Sequence, residues 1–304
     1  MHTVLWISTA LGTAILVAIA NIIDSHVLSK KMPSLSSFLV PLAVMQFIIA
    51  AVFFIVFPFP ANPGLTHILA AFGAALCNAF SLIITLNCLQ QGEVSRVIPV
   101  TSSSPIFVAL LSMPLLGELL NYWQWLAVVI TVYGAVLVSL HHDGGGQKTR
   151  LQKSFFLLLL AALLTAVSSI GYKYALETMS FWNMVSINAI FVVVIVLVFS
   201  MRKSTLLQLK HLPQRTRTFG LIACSQTVVY IGVTLSFIAI ANGPVALVST
   251  IMNIRPAFVF LFSLLLSLRY PNLLNERLDK RTILYKVFGI VLITGGVAII
   301  GLFN

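Results

Sequence analysis

Charge is what this chain has least of. Only 8% of its 304 residues are Asp, Glu, Lys or Arg, and just 7 of them are acidic. A soluble domain draws about a quarter of its residues from those types. With 59% hydrophobic residues and a mean hydropathy of +1.04, the chain is expected to be an integral membrane protein. The 3 cysteines, Cys77, Cys88 and Cys224, form no CxxC pair and are odd in number. That excludes a disulfide framework or a zinc site, and each reads as a buried small hydrophobe. No HExxH and no Gly-x-Ser-x-Gly occurs. The 6 histidines, His2, His26, His67, His141, His142 and His211, fall near the ends of apolar runs or between them. No intramembrane protease or transferase is therefore expected. "DGGGQKT" lacks the first glycine and the preceding strand of a phosphate-binding loop, so ATP does not drive the protein, and no cofactor or metal is expected. A net charge of +11 would suggest nucleic acid in a soluble chain. Here most of the basic residues lie in short connections, where they orient helices, so no nucleic-acid partner is expected.

What fills the chain instead is apolar sequence. A bilayer crossing needs about 20 predominantly apolar residues. Ten such spans can be drawn, at about 4–28, 36–57, 65–89, 94–113, 122–140, 154–176, 181–200, 218–241, 244–268 and 284–302. The fold class is therefore an all-α integral membrane protein, with the lipid bilayer as its first partner. Ala18-Ile19-Ala20 mimics a signal-peptidase site, but "MHTV" carries no basic residue and the apolar run is too long, so it reads as a retained first helix. The longest polar connections, "HHDGGGQKTRLQK" (141–153) and "MRKSTLLQLKHLPQRTR" (201–217), are too short for a separate soluble domain.

The first of these connections falls at the midpoint, and the two sides match. "GEVSRVIPVTSSSPIFVALL" (92–111) aligns without a gap on "GPVALVSTIMNIRPAFVFLF" (243–262), pairing Gly92 with Gly243, Pro105 with Pro256 and Phe107 with Phe258. "LLGELL" (115–120) then matches "LLNERL" (273–278), and "TVYGAVL" (131–137) matches "ITGGVAI" (293–299). Five spans on each side is an odd number, so two homologous halves must sit in opposite orientations. That is the inverted repeat used by many secondary transporters. The expected organisation is a first five-helix repeat at 1–140, a linker at 141–153 and a second repeat at 154–304. A Gly-initiated fourth span with a mid-helix Pro, a Leu-Leu-x-Glu after it and a closing span with a late Gly, present twice, resembles the drug/metabolite transporter superfamily, in particular proteins with two EamA-type domains. The resemblance covers essentially the whole chain and implies ten helices, a central substrate cavity and alternating access. It leaves open whether the substrate is an amino acid, another metabolite, a nucleotide sugar or a phosphorylated sugar.

Lys and Arg gather on one side. Lys30, Lys31, Arg96, Lys148, Arg150, Lys153, the cations of 202–217, and Arg269, Arg277, Lys280, Arg281 and Lys286 all fall in the odd-numbered connections or at their edges. The charge rule then places both termini outside, whereas members of the resembled family usually keep both in the cytoplasm. A bacterial or archaeal cell membrane is the expected location.

Polar residues inside the spans mark the candidate site, because an ionisable group at mid-bilayer costs about 2.5 to 3.5 kcal/mol on insertion scales. Arg255, about 16 Å deep at 1.5 Å per residue, is the costliest of them. Asn253 shares its face, and Pro256 frees a carbonyl one turn earlier. The matching first-half stretch, "TSSSP" ending at Pro105, offers Ser103 and Ser104 but no charge. Span 6 carries a stripe of Thr165, Ser169, Lys173 and Glu177 with Tyr172 beside it. Lys173 either contacts substrate, snorkels to the interface or pairs with Glu177. Asp24, with Asn21 one turn before it, is the acid within hydrocarbon depth, either a counter-ion for Arg255 or Lys173 or a proton carrier. Asn78 in span 3 and Gln226 and Tyr230 in span 8 complete a set of polar stripes that could line a hydrated cavity, or glue helices together. Glu118 and Glu276 read as caps at the starts of spans 5 and 10.

The expected function is secondary active transport, by alternating access, of a small metabolite bearing an anionic group such as an amino acid, organic acid or phosphorylated compound. Arg255 would be its ligand, Pro105 and Pro256 the hinges, and a proton or a counter-transported solute the energy source. The alternatives are a broad-specificity exporter of hydrophobic or cationic compounds, and a non-transporting or lipid-flipping membrane subunit. Monomer and homodimer both remain open.

Overall fold

The computed structural model describes residues 2–57, 63–90, 100–139, 151–269 and 280–303, and among them there is no strand. The helices are α1 (His2–Lys30), α2 (Leu35–Val56), α3 (Leu65–Gln90), α4 (Ser104–Leu116), α5 (Tyr122–Ser139), α6 (Leu151–Ala175), α7 (Phe181–Ser200), α8 (Lys203–Lys210), α9 (Arg215–Asn242), α10 (Val245–Met252), α11 (Arg255–Arg269) and α12 (Lys280–Leu302). Seven described helical stretches are long and apolar enough to cross a membrane, and α4, α5 and the core of α12 are shorter apolar helices. The expected features at Arg96, Lys148, Arg150, Glu276 and Arg277 lie outside the described residues.

Local chemistry sets the helix ends. Ser34 and Ser37 form a reciprocal capping box on α2, and Ser180 and Asn183 form one on α7. Each satisfies two of the orphan donors at a helix start. α4 stops at Gly117, whose φ of 69° is the left-handed conformation glycine adopts most readily.

The packing repeats itself between the two sides of the chain. α1 lies on α9 as α6 lies on α3, α1 on the α10–α11 pair as α6 on α4, and α9 on α2 as α3 on α7. α2 meets α7, α4 meets α10 and α5 meets α12. Small residues let these helices approach closely, as expected where lipid removes the hydrophobic drive between helices. Ala10, Ala14 and Ala18 of α1 are fully buried, and Thr13 donates to the carbonyl of Gly232 on α9 at 3.0 Å. On the matching α3–α6 crossing, a methyl at Gly171 would stand 2.9 Å from the Ala74 Cβ. The tightest approach is α5 on α12. A Cβ at Gly134 would lie 2.6 Å from the Gly289 carbonyl oxygen, and one at Gly296 would lie 3.0 Å from that of Ala127. Gly134 and Gly296 are the residues that pair in the sequence repeat, and each meets the other helix one and two turns before its counterpart.

The surface is as informative as the core. Large apolar side chains stand exposed along the bundle's outside, among them Phe47, Ile55, Leu69, Val198 and Phe288, which is what lipid-facing helices require. Trp6 is an exception: it is buried and lies against Gly243, so it is a core residue rather than an interfacial anchor.

Candidate functional site

Both proline-bearing segments are broken. In the first half the chain is helical at Val100 and Thr101, turns at Ser102 and Ser103, and resumes as α4. In the second half α10 ends at Met252, Asn253 and Ile254 form the turn, and α11 starts at Arg255. Pro105 and Pro256 each stand second in the resuming helix, where their missing N–H is harmless. The hydrogen bonds across the two breaks correspond residue for residue. Ser103 N–H donates to Val100 O at 3.1 Å and Ile106 N–H to Ser103 O at 3.0 Å, while Ile254 N–H donates to Ile251 O at 3.1 Å and Ala257 N–H to Ile254 O at 2.8 Å. These tightened turns meet, because the Asn253 side-chain amide donates to the Ser102 carbonyl. The discontinuities therefore cross, and an amide of one side satisfies a carbonyl the other side's break has freed.

Arg255 opens α11 at this crossing. Its Nε is buried and has no hydrogen-bond partner, and among the described residues no carboxylate stands within ion-pair distance. The first turn of α11 contains no acidic residue, so the guanidinium sits at the positive end of a helix dipole that repels it. Both costs are relieved by an anion. Ser103 and Ser104 lie at the opposite break, where the Ser103 hydroxyl donates to Val100 O at 2.6 Å. An apolar recess of about 320 Å³, lined by Val100, Ser103, Ile106, Phe107, Phe155 and Leu159, also reaches this break. Its one polar lining residue is Ser103, so it does not supply anion ligands.

The other candidates fall into separate groups. Asn188, which sequence reasoning missed, accepts from Asn78 at 2.7 Å and from the Tyr172 hydroxyl at 2.8 Å, joining α3, α6 and α7. Tyr230 is buried in the same apolar cluster as Tyr172. Gln46, also missed, donates to Gln226 at 3.2 Å across α2 and α9. The signal available for both was an amide midway along a largely apolar span. Asp24 accepts from Ser225 at 2.6 Å. No described ion pair joins it to Arg255 or Lys173, so the counter-ion arrangement is not the one seen. Asn21 is exposed.

Lys173 spends its donors on three carbonyls at the end of α9, those of Ile240 at 2.7 Å, Ala241 at 3.3 Å and Gly243 at 2.8 Å. It neither snorkels nor pairs with Glu177, whose partner is His67 at 3.7 Å. Immediately beyond, both oxygens of Glu118 accept from the Val245 N–H, at 3.0 and 2.9 Å. Glu118 thus caps α10, not α5 as its position in sequence suggests. A cation at one helix's end and an anion at the next helix's start complement both dipoles. Burial pushes the Glu118 carboxyl above its ordinary value of 4.5, with the Val245 N–H and the nearby Lys173 charge pulling it back. The raised value makes the ionised form the costly one. This group's contribution is fullest below pH 4.5 and declines as pH climbs through the raised value. Glu118→Gln and Glu118→Ala should both flatten that decline in thermal unfolding across pH, and the alanine variant should lie about 1 kcal/mol below the glutamine variant at every pH, having lost the cap as well.

Relatives point the same way. A curated protein from Sinorhizobium sp, described as "Uncharacterized transporter in cobO 3'region", is 32% identical over 78 residues, 26% of this chain. The match spans about half (55%) of that relative's length. A solved crystal structure aligns with 99% of this chain and 96% of its own at a TM-score of 0.67 and 16% identity, a likeness of fold alone. The profile of the EamA-like transporter family matches twice, over residues 4–140 and 152–302. Those two matches cover nearly all of a chain whose broken helices, close glycine crossings and lipid-facing surface are already those of a membrane bundle, and the chain belongs to the EamA-like transporter family.

Proposed function

We propose that this protein is a secondary active transporter of a small metabolite carrying an anionic group, working by alternating access. Ten membrane helices form two inverted five-helix repeats, at 1–140 and 154–304 with 141–153 as linker. The observation that carries the substrate class is the buried, unpartnered Arg255 Nε at the crossing of two broken helices. A guanidinium keeps its charge and can bond two oxygens of a carboxylate or phosphate at once, and discontinuous helices at a repeat interface are where such transporters hold their substrates. Asn253 stands two residues before that charge, and Ser103 and Ser104 stand at the opposite break, which the Asn253 amide joins through the Ser102 carbonyl. Asn78, Tyr172, Gln226 and Tyr230 add polar groups along the path once they exchange their present partners, and Lys173 joins them only by leaving its three carbonyls. The turns before Pro105 and Pro256 are the flexible points of the cycle.

Thermal unfolding of the purified protein with a panel of amino acids, organic acids and phosphorylated sugars tests this reading, because a ligand that binds only the folded state raises its stability by mass action. At least one anion stabilises the protein, and neutral or cationic analogues do not; a panel in which only cations stabilise would favour export of cationic compounds. Asp24 is the proposed proton carrier. In proteoliposomes an imposed proton gradient should accelerate wild-type flux several-fold, and Asp24→Asn should transport without responding to it. Equal responses in both proteins would remove Asp24 from the coupling.

A further inference from the structure

The connection between α7 and α9 contains a feature that transport does not use. α8 begins two residues beyond the C-cap of one spanning helix, Met201, and ends five before the next begins. It is firmly docked. Thr205 and Leu209 are buried, Gln208 accepts from Ser34 at 2.7 Å at the start of α2, and Leu212 packs with Val27, Met32, Phe38 and Ile222. The opposite face is Lys203, Leu206, Leu207 and Lys210, at the i, i+3, i+4, i+7 spacing of one helical side. All four are exposed, with Leu206 at 51% and Leu207 at 59%. Arg202, Lys203, Lys210, His211, Arg215 and Arg217 are exposed as well. The sequence has no acid between Glu177 and Glu276, so no carboxylate of this stretch neutralises them. Two leucines between lysines, held rigidly where two spanning helices end, form the pattern of a helix lying in the plane of a membrane surface.

We propose that α8 is an in-plane interfacial helix that binds anionic phospholipid headgroups, with Leu206 and Leu207 seated at the acyl boundary and Arg202, Lys203, Lys210 and Arg217 against the phosphates. Bilayer lipid fits better than a soluble anion or an acidic protein. Free phosphate has no use for the leucines, and an eight-residue helix fixed at the rim of a spanning bundle is already at headgroup depth. The leucines supply the sequence-independent part of the attachment, and the cations supply selectivity for negative leaflets, an attraction that fades within a Debye length.

The test uses the full chain in liposomes of phosphatidylcholine alone or mixed with phosphatidylglycerol. In a cysteine-free background, a spin label at Leu207→Cys should collide with oxygen more than with a water-soluble nickel complex, at a depth of about 5 to 10 Å. With native cysteines retained, phosphatidylglycerol should raise the unfolding temperature by several degrees, and 1 M salt should cancel most of the shift, since the screening length falls to about 3 Å. Neutralising Arg202, Lys203, Lys210 and Arg217 to glutamine should abolish the shift, while Lys30→Gln with Lys31→Gln should keep most of it. A label at 207 that is water-exposed in both bilayers overturns the proposal and leaves a protein partner as the reading of this face. A shift that the Lys30 and Lys31 changes remove equally overturns it in favour of diffuse charge.

Discussion

Arg255→Ala abolishes anion-dependent stabilisation while leaving the unliganded protein as stable as the wild type, or more so. The guanidinium has a buried Nε without a hydrogen-bond partner, meets no carboxylate among the described residues and is set against a helix's positive end, so removing it relieves a cost in the empty state. A charge placed against structure in this way is retained for what it binds. The ligand-induced rise in unfolding temperature should vanish, and uptake into proteoliposomes should fall at least a hundredfold, the scale of losing a charge-assisted bidentate contact worth about 3 kcal/mol. Arg255→Lys should recover little, since an ammonium cannot reproduce the planar fork. If alanine leaves the anion response intact, the site lies elsewhere. If alanine instead unfolds the protein, Arg255 is scaffold.

The second large effect concerns stability. Gly134→Ala and Gly296→Ala each drive a methyl into the α5–α12 crossing, the first against the Gly289 carbonyl, which cannot rotate away, and the second against the Thr131 hydroxyl with the Ala127 carbonyl behind it. Overpacking of this kind costs about 1 to 3 kcal/mol, and valine or leucine should prevent the crossing from closing. Gly295, the immediate neighbour, has nothing within 4 Å of an added Cβ. Gly295→Ala should therefore be neutral or slightly stabilising, because it removes only glycine's backbone freedom. Unfolding temperatures in detergent that fall by several degrees for 134 and 296 but not for 295 verify the crossing. Equal effects at 295 and 296 would refute it.

The membrane class and the two breaks could be read from the chain, because apolar run length and a mid-span proline are local properties. What could not be read was partnership. Glu118 looks like a cap for the helix that follows it, yet the N–H it meets belongs to Val245, 127 residues later. The stripe of Thr165, Ser169 and Lys173 resembles a cavity lining. Ser81 shares the Thr165 hydroxyl at 2.8 Å, and Lys173 reaches into α9, so much of the stripe is interhelical bonding. In a chain this poor in acids, each polar group has several apolar-faced neighbours of similar sequence, and only tertiary packing decides among them. Asn188 and Gln46 stayed hidden for the opposite reason: each is an amide in a long, largely apolar run, with no polar companion at i±3 or i±4 to draw attention to it.

The Asn253 amide closes a carbonyl on the first side of the chain, and Glu118 closes a helix start on the second. Each half thus carries a part that finishes its sibling. A chimera that replaces one half alone should lose the part that finishes the other, so the two halves work as a matched pair.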